Sequence, residues 1–595
     1  MSTPPAPTRW ARRGPRQASS RAAGSVALVL LAISWAAMVI PPGANQTAHY
    51  ATVVALANGS PNIDRERTWT GDTAYLKGHF FAAKAPGLAL ATVGWYVALH
   101  STGAVRPFPS PTTPFPRAQK AFSPADLWEA ALWGSVLPAA ILLFLVRRVA
   151  GRLVPGYGTA AAVSVGAAGV LAVMATMFFD HALSACLGFA AFACLLPRGP
   201  QTPLRVAAAG LLAGLAISVE LPLALVALAL AIWVASSACH GRILGAYVGG
   251  ALVGCAPLLV FNTWAFGSPF RLAYANAVAV PGRTGHDVLG QNSSGLFGVG
   301  LPRPHGLVEL LFSGYGLLVL APLWGAAIAG LVYLWRDGRR DVAALVGALC
   351  VAFLLYNAAY KDLFGAMTTG PRFLAPLLPF LAIPLAATWR RAPITTGLLF
   401  IASAVVTWAM IVGNPMGPAE DPGTFFRRLA SGGDSAVPLS RTVLDWLWPG
   451  HNSASLALVL LAVVLAIAIA ATTVPWRFNG REAAFAIAVL LGWRVVYVAG
   501  PTILKLDKNT TRETGAIAVV LIVVAVGAAL LSLARAQLLA AIPAVLLLPL
   551  VWARVDGKPS AAGLLATGAI AGMAAITIAN RRRSPARTAV EADVR

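Results

Sequence analysis

The chain has 595 residues, of which 58% are hydrophobic and 11% are charged, and its mean hydropathy is +0.72. Apolar runs of about 18 residues or more recur along it, so the sequence predicts an all-α polytopic membrane protein and excludes a soluble fold. The formal net charge of +23 does not indicate nucleic-acid binding, because the arginines stand in twos and threes at the ends of apolar runs, which is a topogenic pattern.

The first apolar run, residues 24–40, follows a basic segment and is predicted to be an uncleaved span with a cytoplasmic N-terminus. Residues 41–126 then form the first extracytoplasmic loop. Within it we expect an interfacial helix at residues 88–101, since a helix of that length rises only about 21 Å and the hydrocarbon core is about 30 Å thick. The next strong span, residues 127–146, runs inward, and every later basic cluster then falls on the cytoplasmic side. The prediction is about sixteen spans, with both termini cytoplasmic and the active face outside.

Composition divides the chain into four parts. Residues 1–23 and 581–595 are cytoplasmic tails, residues 24–400 carry polar groups between their spans, and the helices of residues 401–580 are nearly pure Ala, Val, Leu and Ile. We interpret residues 24–400 as the functional module and residues 401–580 as accessory transmembrane helices. The five cysteines lie in or beside apolar runs without CxxC spacing, so they indicate neither a disulfide framework nor a zinc site.

Residues 64–87 hold a high density of titratable groups for so apolar a chain: Asp64, Glu66, Asp72, Lys77, His79 and Lys84. A polar loop beside the mouth of a hydrophobic bundle suits chemistry on a lipid-linked or extracytoplasmic substrate. Two simpler interpretations stay open. Residues 64–67 alternate in charge and could form a solvated, salt-bridged turn, and Lys84 could snorkel at the start of an interfacial helix.

Several motifs resemble those of bacterial GT-C glycosyltransferases, the superfamily that includes the dolichyl-phosphate-mannose-protein mannosyltransferases. The motifs are NQTAHY at 45–50, TGD at 70–72, GHFFAAKAPG at 78–87, FDH at 179–181, FGSPF at 266–270 with Tyr274, and GPRFLAP at 370–376. The resemblance covers roughly residues 24–390 and implies a GT-C-like transmembrane bundle with extracytoplasmic juxtamembrane helices. It also implies an enzyme of the plasma (inner) membrane that moves mannose or a similar sugar from a polyprenyl-phosphate donor to a glycan, lipid or protein acceptor.

Transfer of this kind needs a carboxylate to accept the proton of the acceptor hydroxyl and positive charge to stabilise the leaving phosphate. Many relatives carry an acid in the first turn after span one, where this chain has Asn45, an amide that cannot accept a proton. The base is therefore expected to be Asp72 or Asp64, and the Thr-Gly-Asp context favours Asp72.

Lys84 and Arg372 are the expected ligands of the donor phosphate. The other polar residues of the motifs are expected to bind or orient the substrate: His79, His181, Asp180, Asn45 and His49. The scattered acids permit a weakly held divalent cation, Mg²⁺ or Mn²⁺, without requiring one. Outside the motifs, Glu220 lies in so short an apolar turn that its carboxylate should have a partner.

Two other functions stay open. A lipid or glycan transporter, or a flippase, would need polar groups at mid-membrane depth and broken helices related by repeat symmetry, whereas the polar residues here concentrate in outer loops. A non-catalytic envelope assembly protein that has kept the fold is the other possibility, and it is Asn45 that favours it.

Overall fold

The computed structural model describes residues 15–103, 124–196, 202–237, 241–276, 298–360, 363–365, 370–417, 423–433, 437–477 and 479–503. Apolar helices dominate these ranges, so the predicted class of an α-helical membrane protein is confirmed at that level. The helices are α1 (Pro15–Ala37), α2 (Ala44–Ala57), α3 (Gly87–Ser101), α4 (Pro124–Ala131), α5 (Leu137–Leu153), α6 (Gly158–Ala167), α7 (Val170–Ala175), α8 (Asp180–Leu195), α9 (Pro203–Val219), α10 (Ala224–Ser237), α11 (Gly241–Phe266), α12 (Pro304–Phe312), α13 (Leu317–Leu320), α14 (Leu323–Arg336), α15 (Arg340–Ala359), α16 (Leu378–Arg391), α17 (Pro393–Val412), α18 (Gly423–Ser431), α19 (Leu444–Leu447), α20 (Asn452–Thr472) and α21 (Gly480–Ile503). The strands are β1 (Met38–Val39), β2 (Thr73–Leu76), β3 (His79–Ala82) and β4 (Arg441–Thr442).

Six helices of the described ranges are long and apolar enough to cross a membrane, or seven if one bent pair counts as a single span. The bent pair joins α12 and α13 to α14 at an angle of 91°. The helix α3, predicted to be interfacial, has 15 residues and is not among the six. The total of about sixteen spans stays a prediction, since residues 504–595, which include much of the predicted accessory part and the C-terminal tail, lie outside the described ranges.

Two antiparallel ribbons hold the first loop and the first helix in place. β1 pairs with β4, which joins the end of α1 to the segment before α20. β2 and β3 form a hairpin whose two turn residues, Lys77 (φ 50°) and Gly78 (φ 89°), both have positive φ, as a type I′ turn requires. The stretch predicted as a polar loop at residues 64–87 is therefore largely a folded hairpin.

A small apolar core lies beneath this hairpin. It packs Tyr50 of α2, Trp69, Phe80 of β3 and Leu88 of α3 around Phe178, in the turn before α8. Burial of aromatic and aliphatic side chains of this size is the main force that holds the loop against the helices. The hairpin and α2 are therefore fixed next to the N-terminus of α8.

Glycines allow α9 and α11 to approach closely. A Cβ built on Gly214 of α9 or on Gly254 of α11 would overlap backbone atoms of the facing helix, so only glycine permits this distance. Ser218 Oγ donates to the Gly254 carbonyl oxygen across the same contact (3.0 Å). Because α9 ends at Val219, this contact positions the turn that carries Glu220.

Candidate functional site

The open end of the hairpin brings Asp72 and Lys84 together. Lys84 Nζ lies 3.0 Å from Asp72 Oδ2, and the two side chains are 9% and 20% exposed. The backbone N–H of Asp72 donates to Thr70 Oγ1 (3.0 Å), whose hydroxyl donates to the carbonyl oxygen of Ala44 at the start of α2 (2.7 Å). The ion pair is therefore anchored to α2.

Three buried ionisable side chains meet where α8 begins and α9 ends: Asp180, His181 and Glu220. His181 Nδ1 lies 3.0 Å from Glu220 Oε1 and 3.7 Å from Asp180 Oδ1. Ser184 Oγ donates to Glu220 Oε2 at 2.5 Å. The carboxylate of Glu220, which the sequence predicts to have a partner, thus contacts both His181 and Ser184.

His49 of α2 connects the ion pair to this buried group. Its Nε2 lies 3.7 Å from Asp180 Oδ2, and its ring meets Phe178 edge to face with centroids 6.1 Å apart. Burial lowers the pKa of His49 to about 4, and the neighbouring carboxylates of Asp180 and Asp72 oppose that shift only in part. The imidazole is therefore neutral at pH 7 and presents one donor and one acceptor nitrogen.

Arg372 adds a buried cation. Its guanidinium lies over the rings of Phe179 and Phe373, 5.6 and 5.1 Å from their centroids, and its charge acts on the Asp180 carboxylate. Gly365 (φ 70°) packs so closely against the guanidinium that any Cβ there would collide with it. Among the described residues, Arg372 Nε has no hydrogen-bond partner.

Tyr274 also belongs to this region, although the sequence gives it no role beyond its place in a motif. Burial raises the pKa of its phenol well above the ordinary value, and Asp180 and Tyr360 add to that shift. The hydroxyl therefore stays protonated and can donate a hydrogen bond at any physiological pH.

The structure brings six of the predicted site residues together: Asp72, Lys84, His49, Asp180, His181 and Arg372. Asn45 lies one turn before His49 on α2, which puts both side chains on the same face of the helix. It is buried, and its Oδ1 has no hydrogen-bond partner within the described ranges.

Asp64 and His79 lie apart from this group. Asp64 Oδ2 is 2.7 Å from His79 Nδ1, with side chains 36% and 55% exposed. The other oxygen, Asp64 Oδ1, accepts the N–H of Phe80 (2.6 Å). The Asp64–His79 pair holds the hairpin against the turn that precedes it. Solvent surrounds this pair, whereas buried polar groups surround Asp72.

Sequence reasoning missed Glu220, Ser184 and Tyr274 as members of one site. Glu220 gave a signal, because a carboxylate in an apolar turn needs a partner, but the sequence does not identify that partner. Ser184 lies on α8 one turn after Asp180, and nothing in its sequence context distinguishes it from other small residues in apolar helices.

The arrangement sets cations beside carboxylates at the ends of apolar helices. Asp72 is more exposed than Asp180, His181 or Glu220, so an outside molecule can reach it more readily. Lys84 and Arg372 can neutralise an anion such as a phosphate. In comparisons with protein-family models, curated proteins and solved structures, nothing matches this chain, so the site itself must support any function.

Proposed function

We propose that the protein is a membrane glycosyltransferase, similar to GT-C enzymes, that moves a sugar from a polyprenyl-phosphate donor to an acceptor outside the inner membrane. The proposal includes a GT-C-like bundle of about sixteen spans with both termini in the cytoplasm. The observation that carries it is the meeting of Asp72, Lys84, His49, Asp180 and Arg372, from separate parts of the chain, at the ends of apolar helices.

Asp72 is the proposed general base. The acceptor hydroxyl oxygen forms a bond to the anomeric carbon while its proton passes to the Asp72 carboxylate. The bond from that carbon to the phosphate oxygen breaks, and its electron pair leaves with the polyprenyl phosphate. Lys84 and Arg372 supply the positive charge that stabilises the leaving phosphate, while His49, Asn45 and Tyr274 offer neutral donors and acceptors for sugar hydroxyls.

The test uses the full chain in lipid nanodiscs with a panel of radiolabelled polyprenyl-phosphate sugars and a cell-envelope extract as acceptor. Release of polyprenyl phosphate is the readout. We expect Asp72→Asn to lower kcat about 10²–10⁴-fold, because an amide cannot take the proton. The matched control is Asp64→Asn, the same chemical change in an exposed pair outside the cluster, which should keep its activity.

Three results would count against the proposal. Full activity in Asp72→Asn removes Asp72 as the base, and loss of activity in Asp64→Asn alone would assign that role to Asp64. A wild-type protein that consumes none of the donors would refute the transferase itself.

The broken helices favour a second candidate, a lipid flippase or transporter. The pair Pro304–Leu320 and Leu323–Arg336 bends by 91°. The chain also breaks between α6 and α7 at Gly169 (φ 102°), whose N–H donates to Thr407 Oγ1 (2.7 Å). Discontinuous helices of this kind form binding sites in transporters. Movement of a fluorescent polyprenyl phosphate across liposomes without its cleavage would identify this activity, whereas a transferase consumes the donor.

A further inference from the structure

We propose that Asp180, His181 and Glu220 bind a divalent transition-metal ion, of which Zn²⁺ fits best. One ligand atom from each residue lies within 4.8 Å of the other two, and all three side chains are buried. The site lies where two helix ends meet, so α8 and α9 fix its geometry. Metal binding here depends on these side chains and not on the proposed sugar transfer.

The distances between the ligand atoms suit a shared ion. Bonds of about 2.0–2.2 Å to Zn²⁺ place tetrahedral neighbours about 3.4 Å apart. From His181 Nδ1, the distances are 3.0 Å to Glu220 Oε1 and 3.7 Å to Asp180 Oδ1. These two values lie on either side of the tetrahedral spacing. The carboxylates of Asp180 and Glu220 offer oxygens within 4.8 Å of each other, so a shared ion requires side-chain rotations that bring the donors to about this spacing.

The same atoms lack other partners. Within the described ranges, Asp180 Oδ1, Glu220 Oε1 and both ring nitrogens of His181 make no hydrogen bond, and the contact of His181 Nδ1 with Glu220 Oε1 does not have hydrogen-bond geometry. Buried polar atoms in this condition cost free energy unless something satisfies them. Ser184 occupies the second oxygen of Glu220, which leaves Oε1 directed towards His181.

Charge also favours a metal cation at this place. Two carboxylates buried side by side need positive charge close to both of them. The charges of Lys84 and Arg372 act on Asp180, but among the described residues neither cation forms an ion pair with Asp180 or Glu220, and Lys84 pairs with Asp72 (3.0 Å). A divalent ion neutralises both carboxylates and uses the imidazole as a neutral ligand.

The donor set selects the metal. Mg²⁺ prefers an octahedron of oxygen atoms and keeps several waters, whereas imidazole combined with carboxylates suits Zn²⁺. His49 Nε2 lies 3.7 Å from Asp180 Oδ2, the oxygen that is not the proposed ligand. From there it can hydrogen-bond to the carboxylate and orient it towards the ion. Cysteine spacing could not reveal such a site, because its ligands are imidazole and carboxylate.

The experiment measures metal binding directly. The full chain, purified with a histidine-free tag in nanodiscs, is stripped with a chelator, and its uptake of Zn²⁺ and Mg²⁺ is measured by elemental mass spectrometry. We expect about one Zn²⁺ per chain at a three-ligand site, and loss of that ion in Glu220→Gln and His181→Asn. His49→Gln should weaken the Kd for Zn²⁺ about 10–100-fold. The matched controls are Glu309→Gln and His305→Asn, which alter another Glu–His pair (3.5 Å), on α12, and should bind as the wild type does.

A second readout guards against misfolded variants. Zn²⁺ should raise the melting temperature of the wild type and of Glu309→Gln, but not of Glu220→Gln. A wild type that takes up no Zn²⁺ overturns the inference whatever the variants do, and so does unchanged uptake in both Glu220→Gln and His181→Asn. A protein that binds Zn²⁺ through these residues but transfers no sugar upholds this inference and contradicts only the proposed function.

Discussion

The close packing of α9 on α11 can be tested by adding one methyl group. In Gly254→Ala the new Cβ would lie 2.8 Å from the backbone nitrogen of Leu215 and 2.9 Å from Gly214 Cα, and closer still to the carbonyl oxygen of Leu211. These atoms all belong to the backbone, so none can rotate away. The two helices must therefore separate.

The energetic cost follows from the size of that separation. Relief of the overlap needs roughly 0.5–1 Å, and gaps of this size remove a quarter to a half of the dispersion energy of the contacts they open. Overpacking of this kind costs about 1–3 kcal/mol, and the hydrogen bond from Ser218 to the Gly254 carbonyl, about 1 kcal/mol, is weakened as well. The higher helix propensity of alanine offsets at most about 1 kcal/mol. We expect a net loss of about 1–3 kcal/mol.

The assay is thermal unfolding of the purified protein in detergent, followed by the loss of its monodisperse peak in size-exclusion chromatography. The matched control is Gly249→Ala in the same helix, where the new Cβ meets no described atom within 4 Å. This variant gains the same helix propensity without any overlap, so it should be at least as stable as the wild type. A Gly254→Ala protein as stable as Gly249→Ala would refute the close approach of the two helices.

Two further predictions concern carboxylates outside the cluster, of which Glu66 is buried and Glu482 is half-buried. Burial raises the pKa of Glu66 above 4.5, so the folded protein binds this proton more tightly than the unfolded chain and loses stability as pH rises from 4.5 through the folded-state pKa. Glu66→Gln should therefore raise the melting temperature at pH 7 and give no gain below pH 4.5; an unchanged melting temperature at pH 7 would contradict the burial of the charge. Glu482 Oε1 accepts the N–H groups of Ile394 (2.6 Å) and Thr395 (3.0 Å) at the start of α17, where a negative charge also interacts favourably with the helix dipole. Glu482→Ala should lower the free energy of unfolding by about 1.5–3 kcal/mol. Glu482→Gln should lower it by less, because its amide oxygen can still accept the two hydrogen bonds. Equal losses in denaturant titrations of the two variants would contradict the role of Glu482 as a cap of α17.

Membrane helices could be predicted from the sequence because each long apolar run carries its own signal. The run at residues 127–146, for example, lies inside the helical stretch Ala125–Leu153. The hairpin could not be foreseen in the same way. Its turn is Lys77-Gly78, whereas the strong sequence signal for such a turn is Asn-Gly or Asp-Gly, and a lysine at positive φ is uncommon.

The candidate site was predictable only in part. Asp72 and Lys84 stand close in the chain, so their pairing needs no more than a local turn. The distance between His181 and Glu220 depends on how α8 packs on α9, and no pattern within either segment encodes that packing. The local density of charge also pointed to Asp64 and His79, but it cannot distinguish the solvated side of a hairpin from its buried side.

The ribbon of β1 with β4 joins two segments that the ribosome makes far apart in time. Most of the described chain separates Met38 from its partner Thr442, and at about 5–20 residues per second the second strand follows the first by roughly 20–80 s. Throughout that interval α1 lacks both β4 and α20, which later pack against it. The contacts that fix α1, and with it α2, which carries His49, are therefore completed only after Thr472, the last residue of α20, has been made.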